Sequence, residues 1–127
     1  MKKKLLISLT AILCCVGTVF AQGNFQRQTP EERTKATMEK LLPLTLTADQ
    51  TSKTTLVFSD FYSAQQKAME EMRASGTMDR DAMMAKRDEL AKGRDAKLKE
   101  IFTPDQFSKW TSEIEPGLRP QRQQKPQ

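Results

Sequence analysis

The chain contains no histidine, and its only two cysteines, Cys14 and Cys15, sit near the amino terminus. Without histidine there is no side chain that ordinarily exchanges a proton near neutral pH. Without a cysteine beyond residue 15 there is no thiol nucleophile, no Cys/His metal set and no disulfide framework in the body of the protein. The five glycines do not cluster, so no loop is built to surround a phosphate, and no G-x-S-x-G segment occurs. Glu31-Glu32 and Glu70-Glu71 are adjacent acids expected on helix surfaces, not converging pairs. No catalytic residue, metal ligand or cofactor site is therefore assigned, and the chain is not read as an enzyme. Large aliphatic and aromatic residues are also scarce: Leu, Ile, Val and Phe number 16 in the 106 residues after Ala21. That is close to the composition at which chains fail to fold, although a low net charge argues against full disorder.

What is present begins with a leader. Met1–Ala21 has a Lys2-Lys3-Lys4 end, an apolar stretch from Leu5 to Phe20, and Val19-Phe20-Ala21 as a small-residue cleavage site. This predicts a secretory signal peptide cut before Gln22. Lipidation at Cys14 is disfavoured because Leu13 stands where a small residue is needed. The apolar run is short and polar sequence follows it, so stable membrane insertion after cleavage is not expected. The formal charge of +5 belongs to the ends: Pro30–Pro116 holds 14 Lys+Arg against 16 Asp+Glu. A nearly neutral body gives no reason to expect nucleic acid.

Residues 22–29 are polar and expected to be disordered. Residues 30–116 are expected to form one helical domain, because hydrophobic spacing of 3–4 recurs and strand-like alternation does not. Thr29-Pro30-Glu31-Glu32 predicts a first helix with Met38, Leu41 and Leu42 as its apolar face, ended by Pro43. Thr47 and Gln50 form a capping box that opens a long helix over 48–74, with Phe58, Phe61, Tyr62, Gln65, Met69 and Met72 on one face. Ser75-Gly76 ends it. A third helix is expected from Thr77 or Asp79 to about Phe102. Its apolar stripe is Met83, Leu90, Leu98 and Ile101, with Arg87 and Arg94 inside it. Gly93 lies in its interior, and Asp88–Lys92 and Asp95–Lys99 are expected ion pairs. Thr103 and Gln106 repeat the capping box around Pro104, and Phe107, Trp110 and Ile114 follow. Pro116-Gly117 is expected to end that helix, leaving 117–127 as a disordered Pro/Gln/Arg-rich tail. The fold class is all-α: a long helical hairpin with short flanking helices. So thin a core is best completed by dimerisation.

The two capping boxes carry a resemblance. Leu46-Thr47-x-x-Gln50 matches the L-T-x-x-Q motif found twice in the Spy/CpxP family of small periplasmic proteins. Phe102-Thr103-x-x-Gln106 is similar to the second copy, with Phe in place of Leu. The resemblance covers roughly Pro30 to Glu115. It implies a helical hairpin that forms an antiparallel, cradle-shaped homodimer in the periplasm. It implies ATP-independent binding of unfolded or partly folded proteins that suppresses their aggregation under envelope stress. Some relatives regulate an envelope-stress sensor, which leaves a regulatory adaptor as an alternative. Others bind metal through His and Cys. The processed chain has neither, so a metal-binding or metal-sensing role is the weakest alternative.

Each candidate residue has a structural reading beside the functional one. Thr47, Gln50, Thr103 and Gln106 are read as caps, and Leu46 as the apolar residue preceding one. Phe58, Phe61, Tyr62, Met69, Met72 and Met83 are candidate client-binding residues, because Met and aromatic side chains adapt to varied apolar partners. The same spacing suits a core, which is favoured for the aromatic and Met face of the second helix. Arg87 and Arg94 are candidates too: either they present charge to a polar partner, or their stems flank the core while their heads reach water. Met69 and Met72 with Met83 or Met84 offer soft thioether ligands for copper, but methionine as plastic filler is the favoured reading.

Overall fold

A computed structural model describes residues 28–119, and over these the chain is helical with no strand. Helix α1 spans Pro30–Lys40 and is followed by a 3₁₀ turn at Leu42–Leu44; α2 spans Ala48–Ala74, α3 Arg80–Ile101 and α4 Pro104–Lys109. A π-helical turn at Trp110–Ile114 leads into the short α5, Glu115–Leu118. The all-α reading therefore holds. The expected signal peptide at 1–21, residues 22–27 and the tail from 120 to 127 lie outside the described residues.

Local chemistry sets the helix starts. Thr29, Thr47 and Thr103 are N-caps in extended backbone, each accepting from the N3 backbone N–H, and the N3 side chain accepts from each cap's own N–H. The two glutamine boxes are thus formed, and a third, with Glu32, opens α1. Asp79 caps α3 by accepting from Ala82 N–H at 3.4 Å. Gly76 turns the chain between α2 and α3 with a φ of +69°, a conformation that costs glycine little. Thr45 also has a positive φ, 49°, and as a β-branched residue it stores strain at the entrance to α2.

Helix α2 is the organising element, with α1 and α3 packed against it. Gln50, near its start, reaches Ile101 at the end of α3, whereas Met72, near its end, borders the same groove as Met83. The two helices therefore run antiparallel. The core comprises Leu41, Leu44, Val57, Phe58, Phe61, Tyr62, Leu98, Phe102 and Trp110. Phe58 and Trp110 meet edge to face with ring centres 5.5 Å apart, a favoured aromatic geometry.

Three local expectations are corrected. Leu42 is not part of a buried face but 74% exposed, because the 3₁₀ turn swings it outward; Thr34, Thr37 and Leu44 are buried instead. Asp88–Lys92 and Asp95–Lys99 do not pair; Asp95 turns instead to Arg94 and Trp110. Pro116 does not end the last helix. Just before it, the Glu115 N–H bonds to Trp110 O, five residues back. That widened turn eases the clash a proline ring makes with the i−4 carbonyl. The chain then continues helically to Leu118, which packs on the core, so order extends past the expected boundary at 116/117.

Candidate functional site

Two constructions stand at opposite ends of the α2–α3 pair. At the end where α2 begins, the two capping glutamines meet. Gln50 Nε2 donates to Gln106 Oε1 and also to Ile101 O at 3.0 Å. Gln106 Nε2 donates to Gln50 Oε1 and to Leu44 O at 3.1 Å. Each glutamine therefore caps its own helix, holds the other glutamine and satisfies a carbonyl of the neighbouring segment. A cap alone explains none of these four bonds.

Between the ends lies a buried charge cluster. The Arg94 side chain is only 5% exposed, with its guanidinium 4.7 Å from the Phe61 ring centre and 4.9 Å from that of Trp110. Arg94 Nε donates to Asp95 Oδ1 at 2.9 Å and Nη2 to Glu115 Oε1 at 3.4 Å. Trp110 Nε1 donates to the same Asp95 oxygen. Arg119 Nε completes Glu115 at 2.6 Å, and this bond raises the Arg119 guanidinium above its usual value. A buried cation of this kind is tolerated only when paired and flanked by ring faces.

Near the turn joining α2 and α3 lies an open groove of about 820 Å³. Its apolar surface comes from Tyr62, Met69 and Met72 of α2 and Met83 and Leu90 of α3, and its edge carries Arg33, Arg73, Lys86 and Arg87 with Glu70 as the acid among them. Tyr62 positions the α1 side. Its hydroxyl shares a 2.6 Å hydrogen bond with Thr37 Oγ1, and the Arg33 guanidinium lies 4.1 Å over its ring. Burial holds Arg33 below its usual value, against an opposing effect of Tyr62, and the Arg87 charge lowers it further.

The candidate residues separate accordingly. Met69, Met72, Met83 and Arg87 border the groove, and Tyr62 reaches it from the core. Phe58 and Phe61 belong to the core. Arg94 is corrected: its head neither reaches water nor faces a partner, but pairs inside the fold. Leu46 is half-buried against the core. Arg33, Arg73 and Lys86 were missed because they fall outside the hydrophobic stripes, and only the folded arrangement brings them to one rim. Both motifs were legible as caps, but nothing in their 56-residue separation showed that the glutamines meet.

The groove suits a soft, shape-adaptable contact more than a metal ion. Three thioethers share it, but the neighbouring guanidinium and ammonium groups oppose a bound cation. Among the described residues, no His/Cys/Asp/Glu group has the arrangement to hold a metal, and no helix is long and apolar enough to cross a membrane. No family model, no curated protein and no solved structure matches the chain.

Proposed function

We propose that this chain is an exported, ATP-independent chaperone that captures unfolded or partly folded proteins and suppresses their aggregation. The observation that carries this reading is the groove. A floor of Met69, Met72, Met83, Leu90 and Tyr62 offers adaptable apolar contact, while Arg33, Arg73, Lys86 and Arg87 supply a charged rim. Unbranched thioether side chains repack around varied partners at little cost, which suits many clients better than one. The leader is consistent with export to a periplasm. The paired L-T-x-x-Q-like motifs add the resemblance to Spy/CpxP proteins, and with it a homodimer in which two grooves act together.

The mechanism is binding and release without covalent chemistry. An unfolded client exposes apolar segments; the groove shields them from other clients, and weak contacts let the client leave to fold. The test is light scattering of two unrelated, chemically unfolded proteins diluted into buffer without ATP, with and without the processed chain beginning at Gln22. The expected result is suppression of both at near-stoichiometric dose. Failure with both, in a sample shown to be helical, overturns the reading. Recovery of one stoichiometric membrane protein from the envelope would then favour the adaptor of a stress sensor.

A further inference from the structure

Arg33 and Arg87 enter the groove from different helices, α1 and α3, and among the described residues neither has a carboxylate within ion-pair distance. Two of the neighbouring groups are already engaged, whereas Arg73, further along the lining, makes no ion pair among the described residues. Lys86 is paired with Glu89 at 3.0 Å, and Glu70 accepts from Gln66 Nε2 at 3.0 Å. All 16 Asp and Glu residues of the chain lie between Glu31 and Glu115, so no acidic side chain outside the described residues can neutralise the two arginines. The half-buried Arg33 guanidinium also rests over the Tyr62 ring. Like charges gathered beside an apolar floor repel one another, and an anion arriving there relieves the repulsion.

We infer that Arg33 and Arg87 form a carboxylate subsite, so that the groove selects peptide segments in which Asp or Glu adjoins large apolar residues. The carboxylate sits with the two guanidiniums, and the flanking apolar side chains lie on Met69, Met72 and Met83. Guanidinium forks match carboxylate geometry and are less strongly hydrated than ammonium groups, which lowers the cost of that contact. The occupant is an acidic–apolar segment of another protein. The chain's own residues outside 28–119 carry Lys2, Lys3, Lys4, Arg27, Arg122 and Lys125 but no acidic side chain, so their charge does not complement the groove. A second copy docked groove to groove would bring like charges together. The inference rests on the groove being the binding face of the proposed function and adds the chemistry of what binds there.

The test uses three fluorescent peptides of equal length and equal Leu/Phe content, with Glu, Gln or Lys at the intervening positions. Anisotropy titrations with the processed chain should give the Glu peptide a dissociation constant roughly tenfold below that of the Gln peptide. The Lys peptide should bind more weakly than either. The Glu preference should shrink several-fold on going from about 0.05 M to about 0.5 M NaCl. Arg87→Gln should remove most of the preference without reducing helicity or lowering the melting temperature, because Arg87 is exposed and makes no ion pair and its removal relieves repulsion with Arg33; Arg87→Glu should shift the preference to the Lys peptide. Equal affinity for the Glu and Gln peptides, or an unchanged preference in Arg87→Gln, overturns the inference. So does peptide binding that emerges only after residues 22–27 are removed, or a dimer that dissociates in Arg87→Glu without peptide binding. Aggregation suppression without a Glu preference removes the inference and leaves the chaperone reading. A Glu preference without suppression does the reverse, and loss of both removes both.

Discussion

Gln50 and Gln106 bond to each other through both ends of their side-chain amides, at 2.8 Å in one direction and 3.2 Å in the other. The oxygen of each also accepts from the backbone N–H of its own cap threonine, Thr47 or Thr103, at 3.0 and 2.9 Å. Two local motifs thereby become one tertiary fastening that joins the start of α2 to the start of α4. Its amide groups can donate and accept at once, and both functions are used.

That double use separates a cap from a fastening. A capping box accepts Glu at N3 as readily as Gln. Gln50→Glu should nonetheless destabilise the protein at pH 7 by about 2 kcal/mol, because a carboxylate cannot donate to Ile101 O or Gln106 Oε1. Burial against those oxygens disfavours the charged form, so the folded-state pKa of the new acid should lie above its unfolded value. The folded state then binds more protons, and the lost stability should return as pH falls through the folded pKa. Urea denaturation of wild type and Gln50→Glu at pH 7 and pH 4.5 checks this; equal stability at pH 7 would leave only the cap.

A double-mutant cycle measures the pair itself. Gln50→Ala and Gln106→Ala should each cost about 1–3 kcal/mol, since each leaves half-buried polar groups without a partner. The double variant should cost less than the sum by about 1 kcal/mol. Additive losses would mean that the amides stabilise the fold independently.

Arg94 should behave as a structural residue. Arg94→Ala leaves Glu115 buried with only Arg119 beside it and empties the space between Phe61 and Trp110, so a loss of about 3 kcal/mol is expected. Arg94→Lys should recover little of it, because an ammonium group lacks the planar face and the fork. Chemical denaturation gives the sizes. Under conditions where Arg94→Ala remains folded, the aggregation suppression proposed for the groove should match wild type.

Thr54 is fully buried, and its hydroxyl has no hydrogen-bond partner. Thr54→Val keeps the shape and removes the polar atom. It should stabilise the protein by about 1 kcal/mol, read as a higher urea midpoint with an unchanged slope.

Two backbone positions offer further stabilisation. A Cβ at Gly93 meets nothing within 4 Å, so Gly93→Ala should add about 1 kcal/mol by helix propensity. Thr45 sits at φ 49°, and Thr45→Asn should relieve strain and raise the thermal midpoint by a few degrees. Thermal unfolding followed by circular dichroism reads both.

The helices and most of their starts were legible in the sequence because they depend on neighbours only three or four residues away. A threonine placed before Pro or Ala, with Glu or Gln three residues on, closes a hydrogen-bonded ring wherever it occurs. The 3–4 spacing of Phe58, Phe61 and Tyr62 likewise identified a buried face without reference to any other segment. The ends were harder. Pro116 ended a helix on local rules, but a widened turn after Trp110, whose indole is anchored in the core, carried the chain on to Leu118.

The arrangements that build the candidate site arise across long separations. Arg87 and Arg94 are equivalent in the sequence pattern, one heptad apart on one helix, yet their fates diverge. Arg94 lies opposite Phe61, Trp110 and Glu115 and is sealed among them, while Arg87 lies beyond the reach of α4 and opens onto the groove with Arg33. Likewise, any T-x-x-Q can cap a helix, but only packing α4 against the α2–α3 pair brings Gln106 to Gln50. Local hydrogen bonding and hydrophobic period thus decided that the chain is helical and where its helices begin. The packing of distant segments decided which charges are buried, which remain unpaired and where a groove remains.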